Sequence, residues 1–176
     1  MPDHRDKPVA RPPDIRQVRL MKALIALTVF ALSLVTVPAQ KKEVEYVKLA
    51  KVEVAGEPAA GARVTATLHF KIEPGFHTQS HKPSEDYFIP TVLKLDPIAG
   101  IRAGTIKYPD GKEEAVDGLD KPLSVFDKEF AITVPLAISA QAKLPATLTG
   151  TLTYQACKGA VCYPPKKLKV KVKLEK

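Results

Sequence analysis

The sequence contains no tryptophan, only two cysteines in 176 residues, and few aromatic residues (6%). It has no glycine-rich phosphate loop and no HExxH, GxSxG or CxxC motif. The sequence therefore lacks the usual signatures of nucleotide-binding proteins, zinc proteases, serine hydrolases and thioredoxin-type enzymes, which argues against these classes. Neighbouring carboxylates such as Glu85-Asp86 and Glu113-Glu114 would point to opposite faces of a strand, and we interpret them as solvated loop charges.

Long hydrophobic runs are also scarce, and the single candidate lies near the N-terminus. Basic residues at Arg16, Arg19 and Lys22 precede an apolar run at 23–35, which is short for a membrane span. A small-residue site, Val-Pro-Ala, follows at 37–39. This order is typical of a secretory signal peptide.

We predict cleavage after Ala39, so that 1–39 comprise an upstream extension and a signal peptide. Met1 and Met21 are both candidate start residues. The region 40–176 is then a single mature domain, periplasmic or secreted, without stable membrane insertion. The alternative is that the apolar run is kept as an uncleaved membrane anchor.

The net charge of +8 overstates the basicity of the mature region, which has 21 Lys and Arg against 16 Asp and Glu. Part of this charge lies on alternate residues of 167–174, which predicts a half-buried strand with a lysine face. Lysine on an exposed strand discourages edge-to-edge pairing, and we prefer this explanation to a nucleic-acid surface. We therefore expect no nucleic-acid partner, while an acidic protein partner stays open.

Alternating apolar and polar residues predict strands throughout the mature region, and no convincing amphipathic helix appears. Turn signals rich in Gly, Pro and Asp separate the segments. About seven short strands with frequent proline indicate an all-β fold, an immunoglobulin-like antiparallel β-sandwich. The predicted strands lie at 44–54, 64–72, 91–95, 101–108, 130–138, 145–157 and 167–174.

The two cysteines, Cys157 and Cys162, lie between two predicted strands, so their spacing suits a disulfide across a tight hairpin. Cross-strand pairing would bring their Cα atoms to about 4.5–5.5 Å, and Gly159 can supply a positive φ in the loop. A ring this short contributes only about 2 kcal/mol to stability. We therefore favour a redox role over a structural staple, although spacing leaves both open.

Strand alternation places Cys157 on the polar face, opposite Leu152 and Tyr154. An outward thiol would be accessible to the thiolate of a partner. A bulge near Gly150 would reverse this parity.

The segments Tyr-Gln-Ala-Cys at 154–157 and Cys-Tyr-Pro-Pro at 162–165 resemble those of a known family. Over 44–174 the chain is similar to the periplasmic N-terminal domain of the thiol:disulfide interchange protein DsbD. The resemblance implies an immunoglobulin-like domain with a redox-active pair, here Cys157 and Cys162. It also implies that Cys162 is the sulfur attacked and Cys157 the resolving one.

The family receives electrons from a membrane-embedded domain through a thioredoxin-like domain and reduces thioredoxin-fold proteins. The partners implied are thioredoxin-fold oxidoreductases and a separate membrane electron-transfer protein, with no cofactor. The chain departs from the family in a loop one residue shorter and in lacking those two other domains. A detached domain that became a non-catalytic binding module with a structural disulfide is the alternative.

Family members shield the cysteines with a cap loop, which by order along the chain corresponds to Asp117, Leu119 and Asp120. Leu119 replaces an aromatic residue, and an acidic residue near the sulfurs would raise the thiol pKa. An ordinary surface loop with an Asp-Gly turn is the alternative.

Aromatic residues near the pair are candidates for partner binding. Tyr154 and Tyr163 flank the cysteines, although core packing is the stronger expectation for Tyr154. Phe76 and His77 lie in a long polar segment, 75–88, where the family packs aromatic residues beside the hairpin. A copper or zinc site using His77, His81 and the reduced cysteines is a weaker alternative, since their spacing is not diagnostic.

Overall fold

The computed structural model describes residues 44–175, and the predicted leader at 1–39 lies outside them. This part of the chain consists of strands joined by turns and has no helix that could cross a membrane. The twelve strands are β1 (Val47–Ala55), β2 (Arg63–Ile72), β3 (His77–Gln79), β4 (Val92–Leu95), β5 (Ile101–Ala103), β6 (Lys112–Glu114), β7 (Leu123–Asp127), β8 (Glu129–Ile138), β9 (Ala146–Tyr154), β10 (Ala156–Lys158), β11 (Val161–Cys162) and β12 (Lys166–Leu174).

The strands form three antiparallel sheets. A four-stranded sheet has the order β1-β2-β8-β5, and a three-stranded sheet has the order β12-β9-β4. A five-stranded sheet, β11-β10-β3-β7-β6, contains both cysteines. The fold is an immunoglobulin-like β-sandwich, which confirms the predicted all-β class.

One main core is shared by the inward faces of the sheets. In β2 and β8, buried and less buried residues alternate along ten residues each, as expected for strands with one face inward. Complete burial of a large apolar side chain such as Leu68 or Ile132 stabilises the fold by about 1.5–3 kcal/mol. Ala156 and Phe126 bring the five-stranded sheet into the same core.

The lysine-faced strand predicted near the C-terminus is confirmed as β12. Its pairing with β9 is continuous from Lys166 to Leu174, and it lies at the edge of its sheet. The lysines on alternate positions are exposed, while Val170, Val172 and Leu174 are buried. This arrangement fits the interpretation that lysine protects an exposed edge.

The strand predicted at 101–108 is shorter in the structure and ends at Ala103. Gly104 N donates a hydrogen bond to Pro135 O over 2.8 Å. Proline has no N–H to return, so the regular ladder between β5 and β8 stops there. An isolated bridge between Lys107 and Thr133 follows.

Apart from β11 of the predicted cysteine hairpin, three short strands lie outside the predicted ranges, namely β3, β6 and β7. The strand β3 lies within the segment predicted to be a polar loop, and β7 follows directly after the predicted cap. His77-Thr78-Gln79 and Lys112-Glu113-Glu114 have no apolar alternation to mark them as strands. These strands nevertheless form the sheet on which the cysteines lie.

Candidate functional site

The two cysteines are direct cross-strand partners at the edge of the five-stranded sheet. Cys157 in β10 pairs with Cys162 in β11, and the two form a disulfide with a Cα–Cα distance of 4.0 Å. The next pair, Lys158 and Val161, encloses a two-residue turn in which Gly159 has φ of 54°. A glycine with positive φ at the first loop position is characteristic of two-residue hairpin turns.

The two sulfur-bearing residues differ in exposure. Cys157 is completely buried, whereas Cys162 is partly exposed on the outermost strand. Strand alternation correctly placed Cys157 on the face opposite Tyr154, since Ala156 and not Cys157 belongs to the main core. The expectation that this face leaves Cys157 accessible is wrong, because other side chains cover it.

A second, smaller apolar cluster lies on this outer face of the five-stranded sheet. Val116, Leu123 and Val125 form it, and Phe88 packs against them from the preceding loop. The segment after β6, with Val116, and the segment after β3, with Phe88, thus pack on the outer face of this sheet. Strand alternation alone would predict that this face is exposed to solvent.

His77 is the neighbour of Cys157 on the inner side of the hairpin. Register pairs Cys157 with His77 and His77 with Asp127, so these side chains share a face with Cys162. His77 Nδ1 lies 3.7 Å from Glu114 Oε1. Burial lowers the pKa of His77, and Glu114 and Asp127 oppose this shift only partly.

Gln79 follows two residues later on the same face and contacts the disulfide directly. Its Nε2 donates to Cys157 Sγ over 3.8 Å, and its side chain is completely buried. Asp127, at the far end of the row, accepts a hydrogen bond from Lys112 Nζ over 2.8 Å. This hydrogen bond holds the pKa of Asp127 below its usual value.

An aromatic cluster lies beside the hairpin and consists of Tyr46, Phe76 and Tyr163. The ring centroid of Tyr46 lies 4.7 Å from that of Phe76 and 5.1 Å from that of Tyr163. Lys158 Nζ lies 5.9 Å from the centre of the Phe76 ring, and Lys166 Nζ lies 5.6 Å from that of Tyr46. All three rings are partly exposed.

Two of the residues predicted to bind a partner are not available at the surface. Tyr154 is 1% exposed and belongs to the main core, and burial raises its pKa. His77 is 4% exposed, because β3 is a central strand and not part of an open loop. Phe76 and Tyr163 keep accessible ring surface, so they remain the candidates.

The segment that corresponds to the predicted cap contains the expected Asp-Gly turn. Leu119 N donates to Val116 O over 3.1 Å, and Gly118 has φ of 87°. Leu119 is 36% exposed and lines a shallow depression with Glu85 and Tyr87. Asp117 and Asp120 are exposed on either side of it, and Val116 is the residue of this turn that is buried on the sheet.

The histidines of the proposed metal site lie in different environments. His81 stacks on Tyr108 with ring centroids 3.7 Å apart, while His77 is part of the row beside the disulfide. Within residues 44–175, no group of three or more His, Cys, Asp or Glu side chains is arranged to hold a metal ion.

Comparison with protein families places the chain in a known family. Residues 45–174 match the family described as thiol:disulfide interchange protein DsbD, N-terminal. The chain belongs to this family. No curated protein matches the chain significantly.

Solved structures of the DsbD N-terminal family and its relatives resemble the chain at low identity. The N-terminal periplasmic domain of ScsB from Proteus mirabilis is 17% identical with a TM-score of 0.50, over 80% of this chain and 49% of that one. The reduced DsbD N-terminal domain of Neisseria meningitidis is 22% identical with a TM-score of 0.43, over 69% and 82%. The structure of a complex between the DsbD and PilB N-terminal domains from that organism is 23% identical with a TM-score of 0.40, over 68% of this chain and 79% of that one.

Sequence reasoning missed three residues that the structure places at the hairpin of this DsbD N-terminal family member. Gln79 and Glu114 lie on strands too short and too polar to be recognised from alternation. Tyr46 lies just before β1, far from the cysteines in sequence, and joins them only through the sheet arrangement. An aromatic residue at the start of a strand is a weak signal, because core packing explains most such residues.

Proposed function

We propose that the protein carries out thiol–disulfide exchange through the Cys157–Cys162 pair and passes reducing equivalents to thioredoxin-fold partners. Membership in the DsbD N-terminal family and the disulfide itself support exchange as the chemistry. The observation that carries the mechanism is the unequal exposure of the two bonded cysteines. A partner can approach Cys162 at the sheet edge, while Cys157 is enclosed.

Exchange would proceed through a mixed disulfide at Cys162. In the reduced protein the Cys162 thiolate attacks a partner disulfide, one partner sulfur leaves as a thiolate, and a mixed disulfide forms. The Cys157 thiolate then attacks Cys162 Sγ, which restores the internal disulfide and releases the second partner thiolate. Two electrons pass to the partner, whose two thiolates take up the protons that the cysteine thiols lose.

The aromatic cluster offers the surface on which such a partner would dock. Phe76 and Tyr163 lie next to the hairpin, and Val161 at its tip is 64% exposed. Aromatic residues concentrate at the centres of protein interfaces, where their large apolar area is buried. Tyr46 belongs to the same surface through its contacts with both rings.

The turn at Asp117–Asp120 would limit access to the cysteine pair, as predicted for the cap loop. The Asp117–Asp120 turn packs through Val116 on the same sheet face as Cys157. Leu119 would limit entry of small oxidants until a partner displaces the turn. A separate membrane protein would supply electrons, and the predicted leader at 1–39 would direct the domain to the periplasm or outside the cell.

A pair of single-cysteine variants tests the assigned roles. Cys157→Ala leaves Cys162 without its resolving partner, so we expect a stable mixed disulfide with an oxidised thioredoxin-fold protein. Cys162→Ala is the matched control, and its buried thiol should trap little or no partner. Equal trapping by both variants would contradict the order of attack.

The reduction potential distinguishes exchange from a structural staple. Equilibration of the protein across a dithiol/disulfide series, with thiols counted by mass, should give about −200 to −270 mV, the range of thioredoxin-like partners. A potential below about −300 mV is typical of structural disulfides. Such a value would make the protein a binding module and contradict the proposed exchange.

A further inference from the structure

Strand β3 places two buried polar atoms without hydrogen-bond partners beside the disulfide. These atoms are His77 Nε2 and Gln79 Oε1. They belong to side chains that are 4% and 0% exposed. An unsatisfied buried polar atom costs free energy comparable to a lost hydrogen bond, so two on one short strand require an explanation.

Both side chains face Cys157 and not the main core. His77 is the cross-strand partner of Cys157, and Gln79 shares its face because strand residues alternate. The other end of the Gln79 amide, Nε2, already donates to Cys157 Sγ over 3.8 Å. Gln79 Oε1 therefore belongs to an amide that contacts the sulfur whose chemistry changes when the bond opens, and His77 Nε2 lies on the same sheet face.

The hydrogen-bonding capacity of this sulfur depends on its redox state. In the disulfide, Cys157 Sγ is a weak acceptor and has no hydrogen to donate. After reduction it becomes either a thiol, which also donates, or a thiolate, which is a strong acceptor. The Gln79 amide has a donor and an acceptor, and a neutral imidazole such as His77 has one of each.

We propose that Gln79, assisted by His77, hydrogen-bonds Cys157 in the reduced protein and thereby favours the reduced state of the pair. Gln79 is a positioning residue, since it acts on the sulfur and does not exchange electrons. The effect is defined for the reduction of the Cys157–Cys162 disulfide by a small dithiol reagent. One reagent thiolate attacks Cys162 Sγ, the Cys157–Cys162 bond breaks, and Cys157 leaves as a thiolate facing the Gln79 amide.

The second reagent thiolate then attacks the reagent sulfur bound to Cys162 and releases the Cys162 thiolate. The reagent ends as a disulfide, and its two protons pass to the two cysteines. Atoms and electrons balance without any other reactant. An amide that stabilises the departing Cys157 lowers the cost of opening the disulfide.

The variant Gln79→Met tests this inference, because methionine has similar length but no amide. We expect the equilibrium with a small dithiol to shift about tenfold toward the disulfide, which corresponds to about 30 mV. Thr78→Val is the matched control, since Thr78 is equally buried on the same strand but pairs with Ala156 on the opposite face. Its equilibrium should change less than twofold.

Unfolding measured in both redox states separates this role from simple packing. Gln79→Met should change the stability of the oxidised protein little, because the loss of the weak contact to the disulfide sulfur is offset by removal of the unsatisfied Oε1, and should destabilise the reduced protein. Equal destabilisation of both forms, or an unchanged equilibrium, would overturn the inference. A water molecule that satisfied Gln79 in both states would give the unchanged result.

A second variant, His77→Leu, should shift the equilibrium in the same direction by a smaller factor, and a shift toward the reduced form would overturn the assisting role of His77. The inference rests on the proposed exchange function, since it concerns the same disulfide. Its test compares variants against a reagent and needs no protein partner. A very low potential in the wild type would contradict the proposed function, while the difference between Gln79→Met and wild type would still decide the role of Gln79.

Discussion

The main core and the outer face of the five-stranded sheet bury different kinds of side chain. The main core, shared by the inward faces of the three sheets, buries large apolar side chains such as Leu68 and Ile132. The outer face buries His77 and Gln79 beside the disulfide, with polar atoms left unpaired. Burial in the main core stabilises the fold, whereas the unpaired polar atoms on the outer face destabilise it and lie on the sheet face that carries the disulfide.

The largest effect on stability should come from the main core. Leu68→Ala removes a completely buried side chain between Val52 and Ile132, and we expect the free energy of unfolding to fall by about 2–5 kcal/mol. Because Leu68 lies on a different sheet from the cysteines, the loss should be equal in the oxidised and reduced protein. Denaturant unfolding in both states measures it.

Leu119→Ala is the matched control for this substitution, since Leu119 is 36% exposed. Its effect on stability should stay within about 0.5 kcal/mol. A redox-dependent loss of stability in Leu68→Ala would show that the main core and the outer face are energetically coupled, contrary to this expectation.

An intermediate effect should appear in the pH dependence of stability. Because burial lowers the pKa of His77, the unfolded chain binds a proton at His77 more readily than the folded protein. Stability should therefore be complete above about pH 6.5, the pKa of an unperturbed histidine, and fall as the pH drops from there toward the lower folded pKa. The loss is about 1.4 kcal/mol for each unit between the two pKa values.

His77→Leu should flatten this part of the pH profile, whereas Thr78→Val, a buried substitution on the same strand that removes no titratable group, should keep its shape. The carboxylates that face His77 are Glu114 and Asp127, and the lowered pKa of Asp127 moves its own titration to more acidic pH. Profiles that coincide for His77→Leu and the wild type would remove His77 as the source.

The smallest effect should come from the lysine face of β12. Lys169→Thr combined with Lys171→Thr replaces exposed residues on an edge strand, so stability should change by less than about 1 kcal/mol in total. Self-association should increase instead, because the edge loses the charges that oppose pairing. Light scattering against concentration measures this, and a molar mass equal to that of the wild type at every concentration would contradict the protective role of the lysines.

Sequence pattern predicted the long strands well, because one face of each is buried against the main core. The segments that became β2, β8 and β12 alternate over eight or more residues. The spacing of the two cysteines likewise indicated the disulfide between Cys157 and Cys162. The pattern failed for the polar strand β3, whose position depends on β7 and β10 and not on its own residues. It also gave Cys157 the right face but the wrong exposure, since Gln79, which contacts its sulfur, and His77, its cross-strand partner, come from a strand that is distant in sequence.

The order of strands in the five-stranded sheet also determines a direction of approach. A thiolate attacks a disulfide sulfur from the side opposite the bond that breaks. Here that bond runs outward from β10 to β11, with Cys157 inside and Cys162 on the last strand. In the exchange proposed above, the approach to Cys162 Sγ that expels Cys157 would begin at the exposed edge of the sheet, whereas the approach to Cys157 Sγ that expels Cys162 would come from the side of β3, where His77 is buried. Strand order would thus give the proposed exchange a single side of approach, although the two sulfur atoms of the bond are chemically alike.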